Sequence, residues 1–241
     1  MDTISALAIV TFAALIHASF QLSVSVLTLM SGHAIGSKRS HTHLLKLSNS
    51  FLWGAAIMTV FLLSTSTFIA ASLFGDHVPL IVWTVVAGIL TGIGICVWLF
   101  YYRRGRGTSL WIPRQMAAFL TSRSKQTRSS SEAFGLGLTS VLIEAFFLMG
   151  PIAVSGLALI HLPPEYQLVG VGIYTVVSLT SLLIVGGLIG SGHTLGGIQK
   201  WRETNKQFLQ FASGSGMLIL GFYIYVEQVL NTTVAAVVEG L

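Results

Sequence analysis

The sequence predicts an all-α membrane protein, with six transmembrane helices arranged as two inverted three-helix repeats. Three observations predict it. Of 241 residues, 53% are hydrophobic and only 9% are charged, whereas a soluble domain carries about 25% charged residues. Six apolar stretches, at roughly 5–31, 51–74, 79–102, 134–161, 166–190 and 208–230, are each long enough to cross about 30 Å of hydrocarbon as a helix. All thirteen Lys and Arg residues fall in three alternate connections.

The first stretch has no basic segment ahead of it, and its apolar run is too long for a signal-peptide core, so it reads as a retained helix. Lys38, Arg39 and Lys46 follow it. The second stretch carries the polar run Ser64-Thr65-Ser66-Thr67, and the connection "GDHVP" after it has no basic residue. The third is followed by Arg103, Arg104, Arg106, Arg114, Arg123, Lys125 and Arg128. Within that connection, "SLWIPRQMAAFLTS" suits a short amphipathic helix on the membrane surface, and "RSKQTRSSSE" is polar. The fourth stretch holds Glu144 and Gly150-Pro151. "HLPPEY" then leads to the fifth, with Ser178, Thr180 and Ser181 at its middle, and Lys200, Arg202 and Lys206 precede the sixth.

An excess of Lys and Arg marks the cytoplasmic side. The three basic connections are therefore expected inside and both termini outside, in a multi-pass protein of the inner (cytoplasmic) membrane. The charge pattern belongs to orientation and to contact with anionic lipid, which removes nucleic acid as a partner. Residues 1–102 form the first predicted repeat, 103–132 a basic cytoplasmic loop, 133–230 the second repeat, and 231–241 an external tail. Two triplets entering from opposite sides make an inverted repeat, a common architecture of secondary transporters. The stretch "LIHASFQL" at 15–22 matches "LIEAFFLM" at 142–149 at four of eight positions, and it pairs His17 with Glu144.

Glu144 is the acidic residue placed deep in an apolar stretch. The other seven acids lie at ends, in loops or in tails. A charge at that depth costs several kcal/mol unless it is paired, hydrated or protonated, and such groups mark ion or substrate pathways. Packing against a neighbouring helix is the competing explanation. His17 lies near the middle of the first stretch. In an inverted repeat, equivalent positions face each other across the axis, where cargo binds. Gln21 shares its helical face at i+4 and Ser25 continues the line. One carboxylate and one imidazole suit a divalent metal ion, and they suit a substrate ammonium group equally. Ser64, Thr65, Ser178 and Thr180 are expected to line the path. Pro151 removes a backbone bond and crowds the Phe147 carbonyl one turn away, so Gly150-Pro151 is a candidate kink. His33, His41 and His43 read as solvated loop residues. His193, in "GSGHTLGG", sits at a candidate hinge.

No enzyme signature is present. "SGSG" at 213–216 has no later His to serve Ser215, and the chain has neither an HExxH pair nor a Walker A loop. The single Cys96 excludes an internal disulfide and a thiolate metal cage. No cofactor is expected beyond a transported divalent ion.

The order of these features resembles the LysE superfamily of exporters. The first helix ends in small and basic residues ("LTLMSGHAIGSKRS"). The second half opens with "FGLGLTSVLIEAFFLMGPI", and the last helix carries "FASGSGMLILGFYIY". The chain differs from amino-acid exporters of that group in having "QLSVS" where a PGP-like motif is usual, and Gly150 where Asn precedes the proline. It also lacks the aspartates of metal-transporting relatives. The resemblance implies export of a small solute. The expected function is a secondary transporter that exports a small cationic solute, a divalent metal ion or an amino-acid-like metabolite, in exchange for protons. Its expected partners are the lipid bilayer and that substrate, with a homodimer allowed. The alternative is a non-transporting membrane subunit or assembly factor of a larger complex.

A cysteine introduced at position 126 should resist membrane-impermeant labelling from the periplasmic face of sealed cells. Labelling there would reverse the topology.

Overall fold

A computed structural model describes residues 1–20, 22–36, 41–75, 77–100, 114–191 and 195–233. All secondary structure among these residues is helical. Four helices are long and apolar enough to cross a membrane, or up to six if each of two bent pairs is one span. The protein is therefore a multi-pass membrane protein.

The first bent pair is α1 (Thr3–Ser19) and α2 (Leu22–Gly36), which meet at 45°. Next come α3 (His41–Phe74) and α4 (Leu80–Phe100). The shorter α5 (Arg114–Gln126) lies within the basic connection, and α6 (Ser130–Leu159) is a single helix that runs through Pro151. The second bent pair, α7 (Pro164–Ser178) and α8 (Thr180–Gly190), meets at 50°. After α9 (Leu195–Thr204), α10 (Lys206–Ile224) continues into a π-helical turn, Tyr225–Leu230.

Local chemistry sets the helix ends. Asp2 caps α1 by accepting from the Ser5 N–H, and hydrogen bonds from Ser5, its side chain first, hold the Asp2 carboxyl below the usual carboxylate range. Ser129 and Glu132 form a capping box at the start of α6. Pro164 opens α7, where its missing N–H costs nothing. α3 begins ten residues before the apolar stretch that announces it. Leu44, Leu47, Ser48 and Phe51 are buried while Lys46 and Asn49 face out, so its first turns are amphipathic and hydropathy alone does not register them.

Two contacts between long helices rest on glycine. Gly54 of α3 and Gly137 of α6 face each other's backbone: a Cβ on Gly54 would strike the Phe134 carbonyl, and one on Gly137 the Phe51 carbonyl. Gly94 of α4 and Gly214 of α10 do the same at a second crossing. There the Gln210 amide donates to the Val97 carbonyl at 2.8 Å, and the Trp98 indole to the Phe211 carbonyl at 3.2 Å. Close approach over small residues is how helices pack where lipid supplies no hydrophobic drive. Large apolar side chains such as Phe68, Leu168 and Phe222 are mostly exposed, as a lipid-facing surface requires.

The interior is two cores rather than one. The first joins α1, the second half of α6, Tyr174 of α7, α4, α10 and the far part of α3. The second joins α2, the first part of α3, Leu120 of α5, the first half of α6, and α8. Both helix breaks fall at the boundary between them.

Gly137→Ala should lower the thermal midpoint of the purified protein, at a cost of about 1–3 kcal/mol from overpacking. Gly88→Ala, where a Cβ meets nothing within 4 Å, should be neutral or stabilising.

Candidate functional site

The boundary between the cores is where the polar side chains gather. α1 ends without proline or glycine. Phe20 turns to an extended conformation, and its N–H closes onto the His17 carbonyl at 3.0 Å. The next helix then has free N–H groups in an apolar setting, where an unpaired one costs several kcal/mol. Glu144 of α6 supplies the acceptor. The Leu22 N–H donates to its Oε1 at 3.1 Å, and the Ser23 hydroxyl donates to its Oε2 at 2.6 Å. Glu144 is 2% exposed. It is therefore an N-terminal cap delivered from another helix, 122 positions away in sequence.

The far side of the break is closed by α8. The Ser181 hydroxyl donates to the Ala18 carbonyl, one of those that α1 leaves open at its end. Ser19 Oγ lies 2.8 Å from Ser213 Oγ, which donates to the Leu209 carbonyl, tying the same turn to α10. Phe20 stacks on Phe147, one turn beyond Glu144, with centroids 6.0 Å apart. The second break has a local cause. Ser178 donates to the Thr175 carbonyl and Thr180 to the Val176 carbonyl, and such back-bonding by hydroxyls bends helices.

Magnitudes show why Glu144 is tolerated. Hydrogen bonds to a charged group contribute about 1.5–3 kcal/mol each, and a carboxylate at a partly buried helix N-terminus gains up to about 2 kcal/mol from the dipole. A buried ion costs several kcal/mol. The opposing terms are of similar size, so the capped position tolerates a buried carboxyl group.

His17 is buried beside this group. Its Nδ1 lies 3.3 Å from the Tyr174 hydroxyl. His17, Ser23, Glu144, Ser178 and Ser181 all line one cavity of about 10 Å³, room for about one water molecule. The structure thus brings His17 and Glu144 to the same cavity while bonding them to different partners. Among the described residues no three His, Cys, Asp or Glu side chains converge as a metal site. A divalent ion here would have one carboxylate, already set against a positive helix end, and an imidazole already engaged by Tyr174.

The other expected site residues divide. Ser178 is at the cavity. Thr180 is exposed, and its hydroxyl donates back across the break to the Val176 carbonyl of α7. Ser64 is exposed and Thr65 half-buried on α3, and neither lines the cavity; from that run, Ser66 reaches α6, donating to the Ile152 carbonyl at 3.3 Å. Ser25 lies on α2, beyond the bend, so it does not continue the face of His17. Gln21 and His193 lie outside the described residues. At Gly150, a Cβ would come within 2.7 Å of Leu90, so this glycine admits α4. Ser23 and Tyr174 were the residues that sequence reasoning did not single out as site residues, whereas Ser181 belongs to the hydroxyl cluster of the fifth stretch that was expected to line the path.

The class these observations define is a multi-pass membrane protein with a buried carboxylate at a helix break. Compared with known proteins, the chain matches no family model, no curated protein and no solved structure.

Glu144→Ala should strip the cap from α2 and cost about 1–3 kcal/mol, the penalty for leaving its partners unsatisfied. Amide exchange at the start of α2 should accelerate. Glu144→Gln, which still accepts from Leu22 N–H and can donate to Ser23, should slow that exchange relative to Ala. Equal exchange in all three proteins would show that Glu144 does not hold the break.

Proposed function

We propose that the chain is a secondary transporter of the inner membrane, an exporter of a small solute, in which Glu144 carries the coupling proton. The observation that carries this reading is the capping of α2 by a buried carboxylate at the junction of two cores. When Glu144 is ionised, Ser23 donates to it and its charge answers the positive end of α2. When it takes a proton, Oε2–H donates to the Ser23 hydroxyl instead, and the electrostatic hold on α2, up to about 2 kcal/mol, is lost. A proton at this one position thus biases whether α2 stays docked against α6. Since α2 belongs to one core and α1 to the other, the device suits alternating access, in which one bundle moves against the other.

An inverted repeat would exchange the first helix with the fourth, the second with the fifth, and the third with the sixth. What supports it is the pattern of neighbours. α3 packs along α6, and α7 and α8 pack against α1 and α2, the pairing that such an axis generates, while α4 and α10 pack on each other. The placement of His17 and Glu144 around one cavity agrees with it. The breaks fall in the first and fifth helices, which are not mates, so the repeat would be unequal at its centre. The resemblance to LysE-type exporters and the one-sided Lys and Arg distribution support export, with both termini outside.

For the cargo we propose a small cation, an amino-acid-like ammonium before a divalent metal, competing with the proton for Glu144. The cavity of about 10 Å³ is too small for such a solute, so the cargo would enter in a conformation with α2 released. The same small cavity favours a second reading, a non-transporting membrane subunit or assembly factor in which Glu144 only fastens the first helix to the fourth.

Proteoliposomes loaded with a panel of candidate solutes separate the two readings. Under transport, Glu144→Gln should abolish proton-coupled flux while the protein stays folded, and His17→Ala should weaken it less and shift its pH dependence. A folded Glu144→Gln protein whose cellular phenotype is unchanged across pH would favour the subunit.

A further inference from the structure

A second polar site lies away from Glu144, between α5 and the first turns of α6. There an open groove of about 290 Å³ is lined by Phe119, Arg123, Gln126, Glu132, Gly135 and Thr139, among others, close to the lower end of small-ligand pocket volumes. It holds one cation and one anion that do not pair. The Arg123 guanidinium sits 5.7 Å over the Phe119 ring. Among the described residues it forms no hydrogen bond or ion pair, although it is near enough to act on Glu132 through space. The Glu132 carboxylate is fixed by its role in the capping box. Oε2 accepts from the Arg128 and Ser129 N–H groups at 2.7 and 3.2 Å, and no bond among the described residues uses Oε1. The groove therefore presents a guanidinium and an oriented carboxylate oxygen side by side.

The groove also has an apolar continuation. Gly135, Thr139, Leu142, Phe146 and Met149 follow Glu132 at spacings of three and four, so they share one face of α6. Leu142, Phe146 and Met149 are 50%, 63% and 54% exposed. From Thr139 to Met149 the face runs about 15 Å along the helix. A ligand seated here meets a positive charge and a negative charge, with a strip of hydrocarbon leading away from them.

We infer that this groove binds a phospholipid whose headgroup carries both a phosphate and a primary ammonium, as phosphatidylethanolamine does. The phosphate pairs with Arg123, as planar guanidinium groups favour. The ammonium donates to Glu132 Oε1, and one acyl chain lies along Leu142, Phe146 and Met149. A choline headgroup has no N–H to give Glu132. A purely anionic headgroup would leave that carboxylate facing negative charge. The apolar strip distinguishes a lipid from a free phosphoethanolamine compound. Because the capping box already holds Glu132 in place, little side-chain entropy is lost on binding.

The test is native mass spectrometry of the full chain, purified with equal amounts of phosphatidylethanolamine, phosphatidylcholine and phosphatidylglycerol bearing the same acyl chains. Phosphatidylethanolamine should be retained about threefold or more over each of the others, the size expected for one exposed ion pair. The preference should vanish in Arg123→Gln and in Glu132→Gln. The second variant keeps the cap, because a glutamine at this position accepts the same backbone bonds, and an unchanged thermal midpoint confirms that. Three results would overturn the inference: equal retention of all three lipids; a preference for phosphatidylglycerol that survives Glu132→Gln, which leaves a simple phosphate site; and displacement of the lipid, mole for mole, by soluble glycerophosphoethanolamine, which removes the apolar strip from the site.

Discussion

The Leu22 N–H and the Ser23 hydroxyl both donate to the Glu144 carboxylate, and this pair of bonds fixes where the first membrane helix breaks. A helix that stops inside an apolar layer leaves N–H groups that nothing there can satisfy. α1 stops at Ser19 and α2 starts at Leu22, so the chain needs an acceptor at that depth. Glutamate meets the need better than a neutral group, because its charge faces the positive end of a helix dipole. The helix break makes the buried carboxylate affordable, and the carboxylate makes the break possible.

The two-core interior follows from this. Val141 and Leu148 flank Glu144 on α6, and they belong to different cores. Ile16 and Leu22 flank the first break and divide the same way, and Tyr174 and Leu182 do so across the second. Glu144, His17, Ser178 and Ser181 fill the level between, with a cavity of about one water's volume. Long helices α3 and α6 run past this level without interruption, held by Gly54 and Gly137, while the broken pairs bend there. A structure built in this way has a continuous frame and a jointed part. The joint is locked by hydrogen bonds, each contributing a few kcal/mol at most.

Much of this was legible in the sequence, and what was missed has a physical reason. The apolar stretches and the lone deep acid at Glu144 were plain, because hydropathy and charge are properties of single segments. The first break was not. It contains no Pro or Gly, and its acceptor lies on α6, so no local pattern announces it. The second break was half visible: Ser178, Thr180 and Ser181 stood out as a cluster, yet Ser178 and Thr180 both donate back to carbonyls of α7 and only Ser181 reaches across to α1. The hydroxyls of Ser64 and Thr65 look the same in sequence but lie away from the cavity, since composition does not say which face of α3 is turned inward. Tyr174 carried no signal. One aromatic residue in an apolar run reads as packing until its hydroxyl is found beside His17. Glu132 shows the reverse case, a residue whose capping role is readable from Ser129 three positions before it.

The proposed role of Glu144 as the proton carrier requires that it exchange a proton with water at the start of α2. Infrared difference spectroscopy of the protein in lipid, titrated across a wide pH range, reads the carboxyl group directly. A protonated-carboxyl band should grow on acidification, be absent in Glu144→Gln, and be accompanied by an amide change from the start of α2. A band that is fixed across the titration, or a titrating band that Glu144→Gln leaves in place, would contradict that role.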